Sequence, residues 1–226
     1  MSSTNPINDD NQQTAASPSA LAGMTSNVDE CRQVYNAWAQ NYQKDVEQWG
    51  YQMPTQVATL LARHMNASCP KILDAGAGDG LSGVALRASF PECHLIGADL
   101  SPDMLQVARQ RGCYDHLHEL DLNQTPFMVD LSEDGSYDAI ACVGTMTYVD
   151  PTKGTLAEFC RLVKPGGYIC YTNRTDKLEP FQSVEHQLLV QRVWKLVEQQ
   201  GPMPYLPNHP DFGDNIQVVI FLYQKL

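Results

Sequence analysis

The stretch KILDAGAGDGLSG, Lys71 to Gly83, decides the fold of this chain. It begins with a short apolar run that contains Asp74 and reads as a buried β-strand, and four of the eight residues from Gly76 to Gly83 are glycine. Glycine adopts positive φ without strain and lets a ligand lie against the backbone. A glycine-rich turn directly after a buried strand therefore predicts a ligand site at the end of that strand.

Short apolar runs alternate with helical stretches from this point on, which is typical of a parallel sheet covered by helices on both faces. The predicted strands lie in the runs KILDAG, HLIGADL, DHLHELDL, YDAIACVGTMTYV, GYICYTN and IQVVIFLYQKL, and the predicted helices cover residues 80–89, 102–111, 153–163 and 183–200. The last run follows a proline-rich segment that has no room for another crossover helix. We therefore predict that it joins the sheet as an antiparallel strand through a hairpin.

Two helices and a polar tail are predicted before the first strand. Apolar and aromatic residues recur at three- and four-residue steps over residues 29–49, which predicts one amphipathic helix, and a second follows Pro54. Residues 1–28 are rich in Ser, Thr, Asn, Gln, Asp and Pro, and we predict that they are disordered. The predicted organisation is this tail and one domain over residues 29–226, in which residues 29–66 form a helical lid.

The net charge and the cysteines restrict which kinds of partner and which cellular compartment we expect. The net charge of -11 and the pI of about 4.8 argue against nucleic acid and anionic membrane surfaces as partners. The seven cysteines are odd in number and form no Cys-x-x-Cys pair, so we expect reduced thiols and no metal site. The tail shows neither a secretory signal nor an Arg-rich transit pattern. We expect a cytoplasmic protein that is a monomer or a weak homodimer.

Polar residues and glycines follow the predicted strands at the points where those strands end. Ligands of open α/β sheets bind beyond the carboxyl ends of the strands, so these residues are candidates for a site. In strand order they are Asp74, Gly76, Gly78 and Gly80; then Asp99; then Asp121; then Gly144, Thr145 and Thr147; and finally Asn173 and Arg174.

The spacing of the glycines distinguishes between nucleotide-binding motifs. A dinucleotide fingerprint reads G-x-G-x-x-G, and counted from Gly76 its third glycine falls on Leu81. Residues 74–80 instead read D-x-G-x-G-x-G, which resembles the first motif of class I S-adenosylmethionine-dependent methyltransferases. The runs GADLS, ELDLN and RLVKPGGYI resemble the second-strand acid, the third-strand acid and the turn before the fifth strand of that family. The four elements occur in order, and the resemblance spans about residues 30–226.

The resemblance implies a doubly wound, mostly parallel, seven-stranded Rossmann-like α/β sheet and S-adenosyl-L-methionine as cofactor. Asp99 would hold the ribose, although it could instead cap a helix, a role that fits Ser101 better. Asp121 would contact the adenine, and Asp74 would accept amides of the turn or hold the methionine amino group through water. The implied cofactor residues are Tyr35, Trp38, Tyr42, Asp74, Gly76, Ala77, Gly78, Gly80, Asp99, Leu100, Ser101, Met104, Asp121, Leu122, Val143 and Gly144.

The aromatic segment VYNAWAQNYQKDVEQWGY supports the lid prediction. It resembles the Tyr-x-x-Trp-Ala-x-x-Tyr-x-x-Asp lead-in of small methyltransferases of the kind encoded in the Williams–Beuren region. On that resemblance Tyr35, Trp38, Tyr42 and Asp45 cover the methionine end of the cofactor. The family often has Asp after the first Tyr, where this chain has Asn36. An amphipathic helix packed on the sheet is the simpler alternative.

The methyl acceptor is predicted to be a small molecule, because the segments left to cover the pocket are short. Tyr148 and His209 are the candidates for catalytic residues, and Tyr148, Asn173 and Arg174 for substrate binding. Arg174 would orient a carboxylate of the acceptor, or would pair with Asp176 or Glu179. A sulfonium is already an activated methyl donor, so a general base is needed only if the nucleophile holds a proton.

Three other classes of protein are alternatives to this function. A nicotinamide-dependent oxidoreductase needs the glycine that is missing at position 81. A nucleic-acid methyltransferase is disfavoured by the charge and by the run VGTMTYVD, which stands where an Asn/Asp-Pro-Pro-Tyr-type run would be expected. A catalytically silent S-adenosylmethionine-binding scaffold would use the same glycines, and only turnover distinguishes it from an enzyme.

Overall fold

A computed structural model describes residues 27–127, 133–213 and 215–226. Its strands are β1 (Lys71–Ala75), β2 (His94–Asp99), β3 (His116–Glu119), β4 (Tyr137–Cys142), β5 (Val163–Arg174), β6 (Trp194–Pro204) and β7 (Gln217–Lys225). They form one seven-stranded sheet in the order β3-β2-β1-β4-β5-β7-β6. Strands β1 to β5 pair in parallel, and β7 is antiparallel to both β5 and β6. The predicted sheet with an antiparallel last strand is confirmed.

Successive residues of the central strands face opposite sides of the sheet, and helices cover both sides. The helices are α1 (Val28–Trp38), α2 (Tyr42–Gln48), α3 (Met53–His64), α4 (Leu81–Ser89), α5 (Pro102–Arg111), α6 (Thr155–Leu162) and α7 (Glu179–Val190). In β1, Ile72 packs in the core with Leu60 of α3 and Leu86 of α4, whereas Leu73 packs on the other side with Phe159 of α6. In the described ranges no helix is both long and apolar enough to cross a membrane.

The single helix predicted over residues 29–49 is wrong in one respect, because the chain breaks after Trp38 into α1 and α2. The Trp38 indole N–H donates to a carboxylate oxygen of Asp45 at 2.7 Å. In a continuous helix, residues seven apart are about 10.5 Å apart along the axis, so this bond requires the break. The break also brings the rings of Trp38 and Tyr42 into an edge-to-face contact at 4.7 Å.

The helix predicted over residues 183–200 is also wrong in its second half. Helix α7 ends at Val190, Arg192 adopts a positive φ of 56°, and the chain returns as β6. Trp194 at the start of β6 is buried and stacks on Tyr223 of β7 with ring centroids 3.9 Å apart. This long-range stacking holds residues 194–200 in the sheet in spite of their helix-like pattern.

The tail prediction falls almost entirely outside the described residues, which begin at Asn27. The side chain of Asn27 accepts a hydrogen bond from the Glu30 amide at 3.1 Å and so caps α1. Helix α1 therefore begins at Val28, the last residue of the predicted tail.

Candidate functional site

A cleft of about 870 Å³, including the part open to solvent, lies at the carboxyl ends of β1 to β4. Helices α1 and α2, here called the lid, and the start of α3 border it. Thirteen of the predicted site residues line the cleft: Tyr35, Tyr42, Gly76, Ala77, Gly78, Asp99, Leu100, Met104, Asp121, Leu122, Val143, Gly144 and Tyr148. Seven do not line it: Trp38, Asp74, Gly80, Ser101, Asn173, Arg174 and His209.

The glycine-rich turn after β1 is held close to β2. The amides of Gly76 and Ala77 both donate to the carbonyl of Ala98, at 2.7 and 2.9 Å. Gly76 and Gly78 have φ angles of 82° and 53°, which residues other than glycine rarely adopt. A Cβ at Gly76 would overlap the Thr145 side chain, whereas a Cβ at Gly78 would meet nothing within 4 Å. The turn thus presents bare backbone to the cleft.

Asp99 at the end of β2 organises this turn as well as lining the cleft. Its Oδ2 accepts from the Gly78 amide and its Oδ1 from the Ser101 amide, both at 2.8 Å. Burial raises the pKa of Asp99, and these amides act in the opposite direction. An ionised carboxylate has about four lone-pair sites, so both oxygens can still accept hydrogen bonds from a vicinal diol.

Ser101 lies behind the cleft and caps helix α5, the role that fitted it at the sequence level. Its Oγ accepts from the Met104 amide at 3.1 Å and donates to Oδ1 of Asn36 at 2.5 Å. Met104 is buried and lines the cleft. Asn36, at the position where the family often has Asp, therefore joins the lid to the β2–α5 turn.

Asp121 and Leu122 follow β3 and border the far side of the cleft. Asp121 accepts from the Asn123 amide at 2.9 Å and from the Gln124 side chain at 3.2 Å. Leu120 and Leu122 supply buried apolar surface on either side of this carboxylate. A carboxylate between two leucines suits a flat heterocycle that carries an amino group.

Asp74 does not accept the amides of the glycine turn, so that alternative for this residue is wrong. It is fully buried, and its Oδ2 accepts from the hydroxyls of Ser82 and Tyr114, each at 2.6 Å. Burial raises the pKa of Asp74 to about 6, and the two hydroxyls limit the rise. Gly80 likewise lies behind the cleft, where a Cβ would approach Arg111 and Ala108 of α5.

The lid is tied to the sheet by side chains at both ends. Arg32 of α1 pairs with Glu119 of β3 at 2.6 Å, and Gln43 of α2 accepts from Arg111 at 3.2 Å. Tyr35 and Tyr42 point at the cleft, whereas Trp38 lies behind them in a buried aromatic cluster. The lid therefore covers one side of the cleft.

The predicted substrate residues divide between the cleft and its supporting layer. Tyr148 lines the cleft, and its ring meets that of Tyr35 edge to face at 5.9 Å. Asn173 is buried and accepts from the Thr147 hydroxyl at 3.3 Å, while its Nδ2 has no partner among the described residues. Arg174 is 2% exposed, and its guanidinium contacts both carboxylate oxygens of Asp176 at 3.0 and 2.7 Å. Of the alternatives weighed for Arg174, the ion pair with Asp176 is present.

His209 lies away from the cleft, in the loop between β6 and β7. Its Nδ1 accepts from the backbone amides of Asp211 and Phe212, which leaves the proton on Nε2. The ring packs against Trp49 at 4.4 Å, and burial lowers its pKa. This position argues against the predicted role as a base and in favour of a role in holding the loop.

Ten residues that sequence reasoning did not name also line the cleft: Val28, Cys31, Tyr51, Pro54, Asp79, Leu81, Ser82, Leu120, Asn123 and Val149. Thr145, which the strand-end argument named as a candidate, lines it too. Asp79 lies inside the glycine motif, so the strand-end argument could have included it. Nothing in the sequence around Tyr51 marks it as a cleft residue. It reaches the cleft because its hydroxyl lies over Gly144, where a Cβ would come within 2.7 Å of it.

Comparisons with known proteins agree with this architecture. Residues 72–167 match the sequence profile of a family described as "Methyltransferase domain". Human methyltransferase-like protein 27 is 33% identical over 145 residues, which are 63% of this chain and 57% of that protein. The demethylmenaquinone methyltransferase of Clavibacter sepedonicus is 41% identical over 103 residues, 44% of this chain and 39% of the enzyme. The chain thus spans less than two thirds of each of these relatives. The family resemblance drawn from the four motifs is confirmed.

Solved structures match the fold at low sequence identity. A putative sarcosine dimethylglycine methyltransferase from Galdieria sulphuraria superposes with a TM-score of 0.58 at 16% identity, over 76% of this chain and 84% of that one. A putative methyltransferase of Haloferax volcanii, solved with the activator Trm112, gives 0.57 at 20% identity, over 84% and 97%. At these identities the likeness concerns the fold.

Proposed function

We propose that the protein binds S-adenosyl-L-methionine and transfers its methyl group to a small molecule. The match of residues 72–167 to a methyltransferase domain supports this proposal. The observation that carries the proposal is the order of groups along the cleft. The bare glycine backbone, Asp99 and Asp121 follow β1, β2 and β3, which are adjacent strands of the sheet. In that order, the three groups match the methionine, ribose and adenine parts of the cofactor.

The residues present fit this cofactor. Gly78 leaves open space where any other residue would place a Cβ, and Asp99 keeps lone pairs for a ribose diol. Leu120 and Leu122 provide apolar surface beside Asp121 for the adenine. The sulfonium would then lie toward the end of β4, where Gly144, Thr145 and Tyr148 line the cleft. When bound, the cofactor supplies an activated methyl group.

The end of the cleft next to β4 supports transfer without a general base. The ionisable side chains there are tyrosines, and burial raises the pKa of Tyr35, Tyr51 and Tyr148. They are protonated at neutral pH and can donate hydrogen bonds but not remove a proton. The nucleophile must then present a lone pair without losing a proton to the protein, as a thiolate, a carboxylate or an unprotonated amine does. The chain's contribution is to orient the acceptor and exclude water.

The lid helices that border the cleft support a small acceptor, because a protein or RNA substrate would need a wide path to the methyl group. The net charge of -11 also disfavours nucleic acid. A direct contact between a carboxylate of the acceptor and Arg174 would require Asp176 to be displaced. We therefore assign the contact with the acceptor to Tyr148, which interacts with Arg174. All seven cysteines are free and six are buried, which supports a reducing compartment, the cytoplasm.

A methyl-transfer assay with small amines, thiols, thioethers, and hydroxy and amino acids tests the proposal. Calorimetry first establishes whether S-adenosylmethionine binds, and release of S-adenosylhomocysteine then reports turnover against a reaction without acceptor. We expect binding and turnover of at least one small acceptor. Binding without turnover of any acceptor would identify a silent scaffold, and turnover confined to protein or RNA would reject the small-molecule assignment.

A further inference from the structure

The side chains that line the cleft change in character along its length. Its three carboxylates, Asp79, Asp99 and Asp121, follow β1, β2 and β3, on the side that the cofactor would occupy. Hydroxyl groups line the end next to β4, and they belong to Tyr35, Tyr51, Thr145 and Tyr148. Among the described residues that line the cleft, none is a histidine, a lysine or an arginine. The end next to β4 therefore offers hydrogen-bond donors but no charged side chain.

Two pairs of tyrosines place hydroxyls at this end. The rings of Tyr35 and Tyr148 meet edge to face at 5.9 Å, and those of Tyr51 and Tyr205 at 5.5 Å. The hydroxyls of Tyr51 and Tyr205 lie over Gly144, where a Cβ would come within 2.7 and 3.2 Å of them. Phenol groups from both pairs thus gather at the carboxyl end of β4.

Arg174 places a buried positive charge beside these phenols. It is 2% exposed, whereas its partner Asp176 is 42% exposed, so solvent screens the carboxylate more than the guanidinium. The charge of Arg174 opposes the rise that burial causes in the pKa of Tyr148 and of Tyr205. A neighbouring cation polarises an O–H and makes it a stronger donor. A ligand that brings negative charge to this end is therefore favoured.

The titratable groups that line the cleft do not supply a base at neutral pH. The tyrosines are protonated, and burial raises the pKa of the Cys31 thiol to about 11. The Asp79 carboxylate is paired with Arg111. Asp99 and Asp121 stand on the side that the cofactor would occupy. The acceptor must therefore reach the cleft with a reactive lone pair already available.

The pKa of the acceptor then determines its chemical class. A carboxylic acid, with a pKa of about 4, is ionised at pH 7, whereas an amine with a pKa of about 10 is protonated in all but roughly one molecule in a thousand. A thiol with a pKa of about 8.5 is thiolate only to a few per cent. Methylation of an amine would also leave a positive charge at an end of the cleft that no described carboxylate lines. A carboxylate avoids both difficulties.

We propose that the methyl acceptor is a small carboxylic acid, which the cleft binds as its anion and converts into a methyl ester. The inference rests on the proposed function, because it takes S-adenosylmethionine as the methyl donor. One carboxylate oxygen accepts from the Tyr148 hydroxyl. A lone pair of the other oxygen forms the new C–O bond, while the bond between sulfur and the methyl carbon breaks and its electron pair stays on sulfur. The two opposite charges cancel, so no proton is transferred.

Alkali distinguishes a methyl ester from the other products, because it hydrolyses the ester to volatile methanol and leaves N-methyl and S-methyl groups in place. The protein is incubated with S-adenosylmethionine tritiated in its methyl group and with a panel of equal numbers of small carboxylic acids, amines and thiols. We expect the label to become volatile after alkali. We also expect kcat/KM for the best acid to exceed that for the best amine or thiol by roughly tenfold or more, because so little of either is unprotonated.

The pH profile gives a second readout. Between pH 7 and 8.5, kcat/KM for the acid should stay constant, because the acceptor is ionised and the cleft tyrosines are protonated throughout this range. A rise with pH over the same range would indicate that a proton must leave the acceptor, and would contradict the inference.

The Tyr148→Phe variant tests the hydroxyl as a donor to the acceptor. A hydrogen bond to a charged group is worth enough to lower kcat/KM for the acid by about 10- to 100-fold, and this loss should exceed any loss of S-adenosylmethionine affinity measured by calorimetry. Tyr137→Phe is the matched control, because Tyr137 is buried at the opposite, amino-terminal end of β4, and it should leave both quantities unchanged. If Tyr148→Phe fails to fold, Tyr51→Phe removes another hydroxyl from the same end and should act in the same direction.

The outcomes separate this inference from the proposed function. Alkali-stable label on amines or thiols alone would overturn the carboxylate assignment and leave methyl transfer to a small molecule in place. An unchanged kcat/KM for the acid in the folded tyrosine variant would overturn the role of the hydroxyl. A protein that binds no S-adenosylmethionine, or that turns over no small molecule of any class, would instead reject the proposed function.

Discussion

At the scale of single residues, the carboxylates at the strand ends have divided roles. Asp99 both accepts the Gly78 amide and lines the cleft, so one side chain shapes the turn and faces the ligand. Asp74 is buried behind the turn and is held by hydroxyls. Asp74 lies near the end of β1 and Asp99 at the end of β2, so one crossover connection separates them. Their roles differ because Asp74 faces buried hydroxyls whereas Asp99 faces the cleft.

Replacing Asp99 with Ala should lower the affinity for S-adenosylmethionine at least tenfold. The change removes the carboxylate that accepts the ribose hydroxyls, and each hydrogen bond to a charged group is worth about 1.5–3 kcal/mol. Isothermal calorimetry on protein whose fold is checked by circular dichroism measures the effect. Asp103→Ala, at an exposed position four residues further on, is the control and should bind as the unmodified protein does. Equal affinities for the two variants would contradict the ribose assignment.

At the scale of elements, side-chain hydrogen bonds join the lid to the rest of the domain. Asn36 of α1 accepts from Ser101, which at the same time caps α5. The break between α1 and α2 lets Trp38 and Asp45 bond to each other, and so fixes the angle at which Tyr35 and Tyr42 meet the cleft. Removing the Asn36 side chain would break its bond to Ser101 but leave the cap of α5 in place.

Asn36→Ala should therefore speed the dissociation of the cofactor more than it lowers the thermal stability. A neutral hydrogen bond contributes about 0.5–1.5 kcal/mol, which corresponds to roughly a two- to tenfold faster release. Stopped-flow measurement of S-adenosylmethionine release gives the rate. Asn41→Ala is the control, because Asn41 is exposed in the same lid and its side chain makes no cap hydrogen bond to α2. Identical release rates for both variants would show that this contact does not hold the lid.

At the scale of the whole molecule, the lid and the loop that precedes β7 share one apolar cluster. Trp38, Val46 and Trp49 of the lid region pack with Leu206 and Phe212 of the loop. The two regions are more than 150 positions apart in the sequence, so they meet only when the sheet between them has formed. The cover of the site is therefore built from both ends of the domain.

Deleting residues 1–26 should leave the melting temperature and the cofactor affinity within error. Their composition is too polar to bury the apolar surface that would offset the entropy of ordering them. Differential scanning fluorimetry and calorimetry measure the two quantities. A deletion of residues 1–35 serves for comparison: it removes the Asn27 cap and the cleft residues Val28, Cys31 and Tyr35, and should weaken binding. A clear loss on the shorter deletion would show that the tail contributes to the site.

The sequence by itself determined the features that depend on local pattern. Apolar runs predicted five parallel strands, and the glycines and acids that follow them predicted which residues meet at the cleft, because parallel strands place their carboxyl ends at one edge. The positive φ angles of Gly76 and Gly78 follow from the same local chemistry. Of the thirteen predicted residues that line the cleft, all but Tyr35, Tyr42 and Met104, which lie on helices, follow the end of a strand.

Tertiary structure alone decided the features that depend on partners distant in sequence. Residues 194–200 have a helix-like pattern, but Trp194 stacks on Tyr223 and the segment becomes an edge strand. Tyr114 finds Asp74 only because Gly83 and Gly97, from two other elements, leave a path between them. Periodicity records which face of an element is buried, not which side chain it meets there. Such contacts form only once the chain has packed. The contact between Tyr114 and Asp74 lies behind the cleft.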